Sequence, residues 1–490
     1  MISRPESHNS DIERIKDEIV HETTLEKTNS EINLTGFRTK SVDSTSNMAP
    51  TWFYGTTTPK RNISSVGSGL LLANKGHVAI ASPEVIQNYL YPISEVLESK
   101  ILKYRNDLSR IMSSNPSSQF ANPLLVITGP TYIRHANQIR GCAQWIGGML
   151  GKSFPNSTTQ LFPKEIKQIF EKPFESQNLM LSIRANLTNY NLNYNSSLAT
   201  DDNSIMTYEV ARGMPYCRAL LDEISEICPI VGETSDTITP QYLSDLFCLG
   251  LVSSTLVESQ LHRELASGAS YPIGFQTSDS QLRFDKSMYS HRIQNALDAM
   301  FATKQQHQFL SVTKVGTVAV VGTTGNEETF IILEINLQLS FDELVEFIEN
   351  KVYKDKRLNI DTPRVILDLG KISNTEYDQK LSVISKFLSE ERYHLNRKIL
   401  GVLIDSGDDY VPKNFQSTLE THNNESLGSF DCNESFEELN RYFQRNRINS
   451  NERIEPSLPE HSSYEYFVNA NKMIHQLDKL SGLRIESSSY

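Results

Sequence analysis

Short apolar runs alternate with amphipathic stretches through most of the chain after residue 122. Repeated strand–helix units of this kind predict parallel strands joined by right-handed crossovers. An open doubly wound sheet has about five to seven strands. Nine runs are present, so the pattern favours a closed (β/α)8 TIM barrel with one run in a β-hairpin insertion at 308–322. The runs are 123–130, 166–170, 230–233, 249–254, 271–275, 307–314, 329–334, 364–370 and 399–407.

Helical spacing of apolar residues predicts helices at 84–112, 218–227, 340–352 and Tyr464–Leu480. The first 60 residues are polar and lack apolar periodicity, so we expect a disordered arm there. The Asn-rich stretch 184–208 is expected to be a long surface loop, and 448–462 a polar linker. The predicted division is a disordered arm (1–60), an N-terminal extension with a helix (61–122), the barrel (123–447), and a polar C-terminal tail of linker and terminal helix (448–490).

The composition excludes several classes of protein. The chain has 490 residues, of which 38% are hydrophobic and 22% charged, which allows a real core and rules out fibrous or wholly disordered proteins. A net charge of −12 argues against nucleic-acid or membrane partners, because phosphate contacts need clustered Lys and Arg. We expect a cytoplasmic protein, since the sequence has neither a membrane-length apolar run nor a secretory signal. Five scattered cysteines fit reduced thiols in that compartment: Cys142, Cys217, Cys228, Cys248 and Cys432.

A TIM barrel places its chemistry at the carboxyl ends of its strands. The side chains that follow the predicted strands are therefore the candidates for a functional site. They are Thr131, Lys172, Glu233, Gln276, Glu334, Lys371 and Asp405.

Several blocks of sequence resemble a known family. The segment ESQLHRELASG at 258–268, followed by PIGF at 272–275, resembles the class I 3-deoxy-D-arabino-heptulosonate 7-phosphate (DAHP) synthases of fungi and bacteria. Four more blocks resemble them in the same order, and the similarity covers about 84–445. These blocks are GPTYIRH (129–135), FEKP (170–173), GETSDTITPQYLSDL (232–246) and HQFLSVTK (307–314).

The resemblance implies a TIM barrel that condenses phosphoenolpyruvate with erythrose 4-phosphate in the first step of the shikimate pathway, which leads to the aromatic amino acids. It also implies one divalent metal of the Mn, Co, Fe or Zn class. Family members are typically feedback-inhibited by an aromatic amino acid, through N-terminal and hairpin elements.

The substrate positions implied by the resemblance have changed their charge. The family surrounds phosphoenolpyruvate with three arginines and two lysines, which donate strong hydrogen bonds to phosphate and carboxylate. Its first arginine reads Lys167 here, and the lysine of its EKP motif is kept as Lys172. The arginine of ARTTESQ reads Thr255, the lysine of GFKNGTDG reads Gln276, and the arginine of ILRGG reads Glu334. Five positive charges therefore become a net +1.

The site for the second phosphate has changed as well. The Arg-Thr pair that follows EKP in the family reads Phe174-Glu175, which puts a carboxylate where an anion should dock. Each lost charge-assisted hydrogen bond costs about 1.5–3 kcal/mol, so three lost cations cost roughly 5–9 kcal/mol, or about four to six decades of affinity. Compensation by Arg184 or Lys314 is the alternative.

The metal positions are altered in the same way. The family's cysteine, histidine, glutamate and aspartate ligands correspond to Thr131, Lys371, Asp405 and Asp431. Hydroxyl and ammonium groups do not replace thiolate and imidazole as ligands of transition metals. We expect no cofactor, with Lys371 paired to Asp405 or Asp431 in a salt bridge. Weak binding of Mg²⁺ or Ca²⁺ by the two carboxylates and the hydroxyl is the alternative.

Some family positions are retained, among them Lys172, Glu233 and His307. Lys172 and His307 are the candidates for a catalytic role, although a structural histidine is the favoured interpretation of His307. Glu233 is a substrate-binding position of the family, and we expect it to support the barrel.

These residues lead to three hypotheses about function. The first is a degenerate DAHP synthase that keeps the barrel, has little or no activity, and acts in a homo- or hetero-oligomer, for example with an active synthase. The second is an active synthase with a rebuilt site. The third is a pocket for a different, less anionic substrate that contacts Thr255 and Gln276. A small anionic ligand is doubtful under the first hypothesis.

Overall fold

Eight parallel strands close into a barrel in the computed structural model, in the order β1-β2-β3-β4-β5-β8-β9-β10 with β10 paired to β1. The TIM barrel predicted from the sequence is confirmed. The residues described are 81–113, 122–133, 136–153, 164–171, 173–187, 214–278, 284–389, 395–407 and 464–486. The barrel strands are β1 (Leu124–Gly129), β2 (Leu179–Arg184), β3 (Ile230–Glu233), β4 (Phe247–Val252), β5 (Ile273–Gln276), β8 (Thr329–Glu334), β9 (Val365–Lys371) and β10 (Ile399–Asp405).

Helices cover the outer face of the strands and side chains in the lumen cover the inner face, so most of the strands are buried on both faces and read as continuous apolar runs. The helix over 340–352 is confirmed as α8 (Phe341–Phe347), which begins with a capping box between Ser340 and Glu343 and continues as a π-helix over Ile348–Val352. The helices are α1 (Glu95–Ser113), α2 (Ala136–Met149), α3 (Lys164–Glu171), α4 (Met214–Ile227), α5 (Thr239–Leu243), α6 (Gln260–Ser267), α7 (Lys286–Thr303), α8 (Phe341–Phe347), α9 (Tyr377–Ser389), α10 (Leu395–Lys398) and α11 (Glu465–Glu486).

The lumen of the barrel is filled with apolar side chains over most of its length, and polar side chains follow towards its carboxyl end. Leu108, Ile111 and Met112 of α1 belong to the same buried cluster, so the N-terminal extension packs against the lumen residues. The strand residues of this cluster are Leu125, Ile127, Met180, Val231, Leu249, Leu251, Phe330, Ile332, Ile366, Leu400 and Leu403.

The helix predicted over 84–112 is broken in two. A short helical turn, Pro83–Val85, continues as a π-helix over Ile86–Leu90, and α1 begins only at Glu95. Tyr91 has φ −138° and ψ 66°, outside the helical region. It precedes Pro92, and a residue before proline is sterically disfavoured in the helical conformation.

The second barrel strand was predicted wrongly. Residues 166–170 lie in α3, and the strand is β2, which the sequence pattern did not identify. The apolar residues Ile166, Ile169 and Phe170 follow the i, i+3, i+4 spacing of a helix. This spacing predicts the observed helix, whereas the short apolar run predicted a strand. The predicted loop 184–208 follows β2, but only its first residues are described.

The hairpin insertion is confirmed as an antiparallel pair, β6 (Gln308–Val312) and β7 (Val318–Gly322). It lies between α7 and β8, so it belongs to the end of the barrel opposite the carboxyl ends of the strands. Leu310 and Val320 are cross-strand partners, and both side chains are exposed.

The predicted terminal helix is confirmed as α11. Trp145 of α2 packs against Phe467 with ring centroids 4.7 Å apart, and its indole donates a hydrogen bond to Asn471 at 2.9 Å. Asp478 accepts hydrogen bonds from residues at the start of β2. The predicted arm 1–60 and the linker 448–462 lie outside the described residues. Within the described ranges, no helix has the length and apolar character of a membrane span.

Candidate functional site at the barrel mouth

The carboxyl ends of the eight strands form the candidate site, here called the barrel mouth. Six of the seven predicted strand-end residues lie there: Thr131, Glu233, Gln276, Glu334, Lys371 and Asp405. Lys172 was expected to follow the second strand, but that strand is β2, and position 172 precedes β2 in the chain. Lys172 itself is outside the described residues, as is Asp431, and the side chain of Lys167 is not described.

Thr131 and Asp405, two of the predicted metal positions, contact each other. The Thr131 hydroxyl donates a hydrogen bond of 2.5 Å to Oδ2 of Asp405, and the backbone N–H of Gly407 donates to Oδ1 at 2.8 Å. Asp405 is only 5% exposed. The pairing of Gly129 with Asp405 between β1 and β10 brings the two strand ends together. Each carboxylate oxygen thus has a partner from the protein.

The end of β9 carries a second buried carboxylate, Asp368. Its Oδ1 accepts the N–H of Gly370 at 2.8 Å, in a turn where Gly370 has φ +55°. Burial raises the pKa of the Asp368 carboxyl; hydrogen bonds from Ser278 and the Gly370 N–H, and then the positive charges of Arg184 and Lys380, offset part of this increase. Lys380 donates hydrogen bonds to the carbonyls of Leu369 and Lys371, at 2.7 and 2.9 Å, and so fixes this turn.

Lys371 has an exposed side chain, and its Nζ lies 5.8 Å from the ring centroid of Tyr466 on α11. The salt bridge expected between Lys371 and Asp405 or Asp431 stays a prediction, since one of the two candidate partners is not described.

At the end of β8, Glu334 stands where the resemblance implies an arginine. Its Oε2 pairs with Arg292 of α7 at 3.3 Å, and both side chains are largely buried. The hydroxyl of Tyr289 donates to the backbone oxygen of Glu334 at 2.7 Å. This part of the mouth therefore presents an internal ion pair.

The remaining substrate positions differ in their surroundings. Glu233 and Gln276 are buried at the mouth. Thr255 is exposed beyond β4, and its hydroxyl lies 3.2 Å from that of Ser253. The expectation that Phe174 and Glu175 follow the second strand is wrong, because both precede β2. Phe174 stacks on His475 of α11, with ring centroids 4.7 Å apart.

His307 precedes the first strand of the hairpin, which belongs to the end of the barrel opposite the mouth. Its Nε2 is 2.8 Å from the carbonyl oxygen of Ala302, and its backbone N–H donates to Thr323 at 3.1 Å. These contacts fit the structural interpretation of this histidine.

Arg184, the last residue of β2, is a mouth residue that the sequence named only as a possible compensation. It is 8% exposed, and its Nε has no hydrogen-bond partner. A Cβ at position 129 would lie 2.9 Å from the Arg184 carbonyl oxygen, so Gly129 permits this close approach. The sequence LMLSIR of β2 could have identified Arg184 as a residue at a strand end. It was missed because the second strand was placed at 166–170.

The donors at the predicted metal positions do not fit a transition metal. Thr131 supplies a hydroxyl that is already bonded to Asp405, and Lys371 supplies an ammonium group. Among the residues that the structure describes, no three His, Cys, Asp or Glu side chains form a group that could hold a metal ion.

Comparisons with known proteins agree with the fold. The model of the DAHP synthetase I family matches residues 121–406. The chain is 29% identical over 346 residues to the phenylalanine-inhibited phospho-2-dehydro-3-deoxyheptonate aldolase of Saccharomyces cerevisiae, a match that covers 69% of this chain and 83% of that protein. It is 41% identical over 137 residues to the Phe-sensitive enzyme of Escherichia coli K12, covering 28% of this chain and 36% of that one.

A solved structure has the same fold. The phospho-2-dehydro-3-deoxyheptonate aldolase of Francisella tularensis superposes with a TM-score of 0.54 at 21% identity, covering 84% of this chain and 99% of that chain.

Proposed function

Because the chain belongs to the DAHP synthetase I family, we propose that it is a DAHP synthase-like protein with little or no turnover, which acts as an interaction or regulatory subunit. The family reaction joins phosphoenolpyruvate and erythrose 4-phosphate with release of phosphate. In this proposal the barrel is kept as a scaffold and the mouth no longer binds the two phosphorylated substrates.

The observation that carries the proposal is the ion pair between Glu334 and Arg292 at the mouth. An arginine at position 334 would offer a guanidinium to phosphate, whereas the glutamate repels phosphate and engages a nearby arginine instead. The hydrogen bond from Thr131 to Asp405 gives further support, since it satisfies a carboxylate that would otherwise be a metal ligand.

The test is an activity assay on the full chain. Phosphate release is followed with phosphoenolpyruvate, erythrose 4-phosphate and Mn²⁺ or Co²⁺, and the Escherichia coli Phe-sensitive enzyme is the positive control. We expect no metal-dependent release above background. Chelator-sensitive turnover within about tenfold of the control would overturn the proposal.

We also propose a partner, either a second copy or an active DAHP synthase. The support is the outer face of the hairpin, where Leu310, Val318 and Val320 are 69%, 74% and 67% exposed. Apolar patches of this kind mark protein–protein contacts. Pull-down of the tagged chain under mild lysis should recover an active synthase or a second, differently tagged copy. The triple variant Leu310→Ser, Val318→Thr, Val320→Thr should no longer bind this partner. Recovery of neither partner argues against the proposal.

An active 3-deoxy-7-phosphoheptulonate synthase with a rebuilt site is the second candidate. Arg184 and Arg292 favour it, because both are guanidinium groups at the mouth that could replace lost cations. The names of the similar proteins also favour it. The activity assay separates the two candidates.

A further inference from the structure

The β6–β7 hairpin is attached to the rest of the molecule at its two ends. A two-stranded hairpin is only marginally stable in water by itself, so its position depends on these attachments. At the base, the N–H of Thr323 donates to the carbonyl of His307 at 2.9 Å, and the hydroxyls of Thr323 and Ser267 lie 2.6 Å apart, which connects the base to α6. At the turn, the ammonium group of Lys314 donates to the carbonyl of Gln241 on α5.

The turn of the hairpin also contacts residues 81–91, here called the strap. The N–H of Glu84 donates to the carbonyl of Lys314 at 2.7 Å. Gly316 lies beside Ser82, and a Cβ added at position 316 would be 3.4 Å from the Cβ of that serine. Lys314 is therefore held from two sides, by α5 through its side chain and by the strap through its carbonyl.

Hydrogen bonds fasten the strap to α5 and to the residues just after it. Gln87 is 9% exposed, and its side-chain amide donates to the carbonyl of Gln241 at 3.0 Å and to Oδ1 of Asp245 at 3.1 Å. The hydroxyl of Tyr242 donates to the carbonyl of Ala81 at 3.0 Å. The Gln241 carbonyl thus accepts one hydrogen bond from the strap and one from the hairpin turn, so the two segments meet at a single acceptor.

We infer that the strap holds the turn of the hairpin on α5 and thereby positions the apolar outer face of the hairpin for its partner. Without the contacts of the strap, the turn keeps only the side-chain contact of Lys314 with α5, and the hairpin can move about its base. The partner in this inference rests on the proposed function, whereas the attachment of the hairpin is a property of the free chain and can be measured without any partner.

Hydrogen exchange of the full chain tests the attachment. Gln87→Met removes both side-chain hydrogen bonds of the strap, keeps a side chain of similar length and changes no residue of the hairpin. Amides of 309–321 should exchange roughly 3- to 10-fold faster than in the wild type, because the lost hydrogen bonds make local opening of the hairpin more favourable. Unchanged exchange of these amides would overturn the inference.

A second variant and a control complete this experiment. Tyr242→Phe removes only the hydroxyl that donates to Ala81, and it serves if Gln87→Met gives no folded protein. It should also accelerate exchange of the hairpin amides, and equal exchange would again overturn the inference. Gln294→Met is the matched control, since this half-buried glutamine of α7 donates to Asp298 at 3.0 Å, away from the strap. Faster exchange of the hairpin in the control would count against the inference.

Partner binding is the second readout. Recovery of a second tagged copy or of an active synthase with Gln87→Met should fall at least about threefold, although Leu310, Val318 and Val320 are unchanged, because partner binding and the strap are coupled through the hairpin. Undiminished recovery with a loosened hairpin would overturn the coupling to the partner. If the wild type recovers no partner, the partner proposed above is overturned, and the exchange experiment by itself decides whether the strap holds the hairpin.

Discussion

Asp222 on α4 is a residue whose protonation affects stability. Burial raises the pKa of its carboxyl to about 6, and the charge of Arg218 opposes the shift in part. The folded state therefore holds this proton at pH values where the unfolded chain has lost it, so stability falls as pH rises from about 4 to 6. Asp222→Asn should remove the fall and raise stability at pH 7 by about 1 kcal/mol, after allowance for the partial exposure of the group.

Urea unfolding of both proteins at several pH values checks this prediction. The two curves of unfolding free energy against pH should meet near pH 4, separate between pH 4 and 6, and keep a constant difference above pH 6. A constant difference at all pH values would contradict the assignment to Asp222.

Single residues of the mouth were partly predictable from the sequence. Thr131, Glu334 and Asp405 follow clear apolar runs, and the rule that barrel chemistry lies at strand ends placed them correctly. Their partners were not predictable. Arg292 comes from the middle of α7, and nothing in a linear sequence indicates that it reaches Glu334. The contact of Thr131 with Asp405 spans the whole barrel domain in sequence and depends on barrel closure.

At the level of elements, β2 depends on a contact with α11. The carboxylate of Asp478 accepts hydrogen bonds from the Ser176 hydroxyl at 2.8 Å, the Gln177 N–H at 3.1 Å and the Asn178 N–H at 2.9 Å. Asp478→Ala should cost about 1.5–3 kcal/mol in the free energy of unfolding, because it removes the charged acceptor of three hydrogen bonds, two of them from partly buried donors.

Hydrogen exchange locates this effect. Amides of 176–182 should exchange faster in Asp478→Ala, while those of β5 are unchanged. Lys479→Ala, an exposed neighbour on the same helix, is the control. Equal protection of β2 in both variants would show that the contact is not needed for strand placement.

The elements also show where periodicity succeeds and fails. Seven of the eight barrel strands were found, because runs such as LLVITG in β1 are apolar on both faces. The exception, β2, contains Ser182 and Arg184 on its lumen face, and these polar residues interrupt the run. The lumen becomes polar near the mouth, so the apolar pattern weakens where the candidate site begins.

In the whole molecule, an ion pair between a buried arginine and a partly exposed aspartate connects the N-terminal extension to the barrel. Arg218 of α4 is fully buried and donates two hydrogen bonds to Asp245, at 2.8 and 2.7 Å, and one to the Tyr91 carbonyl at 3.0 Å. Gln87 of the extension also donates to Asp245, at 3.1 Å. Arg218→Met should lower the free energy of unfolding by about 2–3 kcal/mol, because the hydrogen bonds of the buried guanidinium to Asp245 and to the Tyr91 carbonyl are lost.

Chemical denaturation measures this loss, with Arg140→Met as the control for an exposed arginine pair. If the extension is fastened as inferred, amides of 95–113 should also lose protection in Arg218→Met. Loss of stability without that local change would place the effect in α4 alone.

The position of α11 has a consequence for synthesis of the chain. This helix covers Trp145 and Phe170, yet it is encoded after a long segment that follows the last strand. A ribosome therefore delivers all eight strands before the helix that shields the outer side of β1 and β2 exists. This apolar surface therefore stays exposed on the nascent chain until α11 has been synthesised. Polypeptides truncated before α11 should remain bound to chaperones.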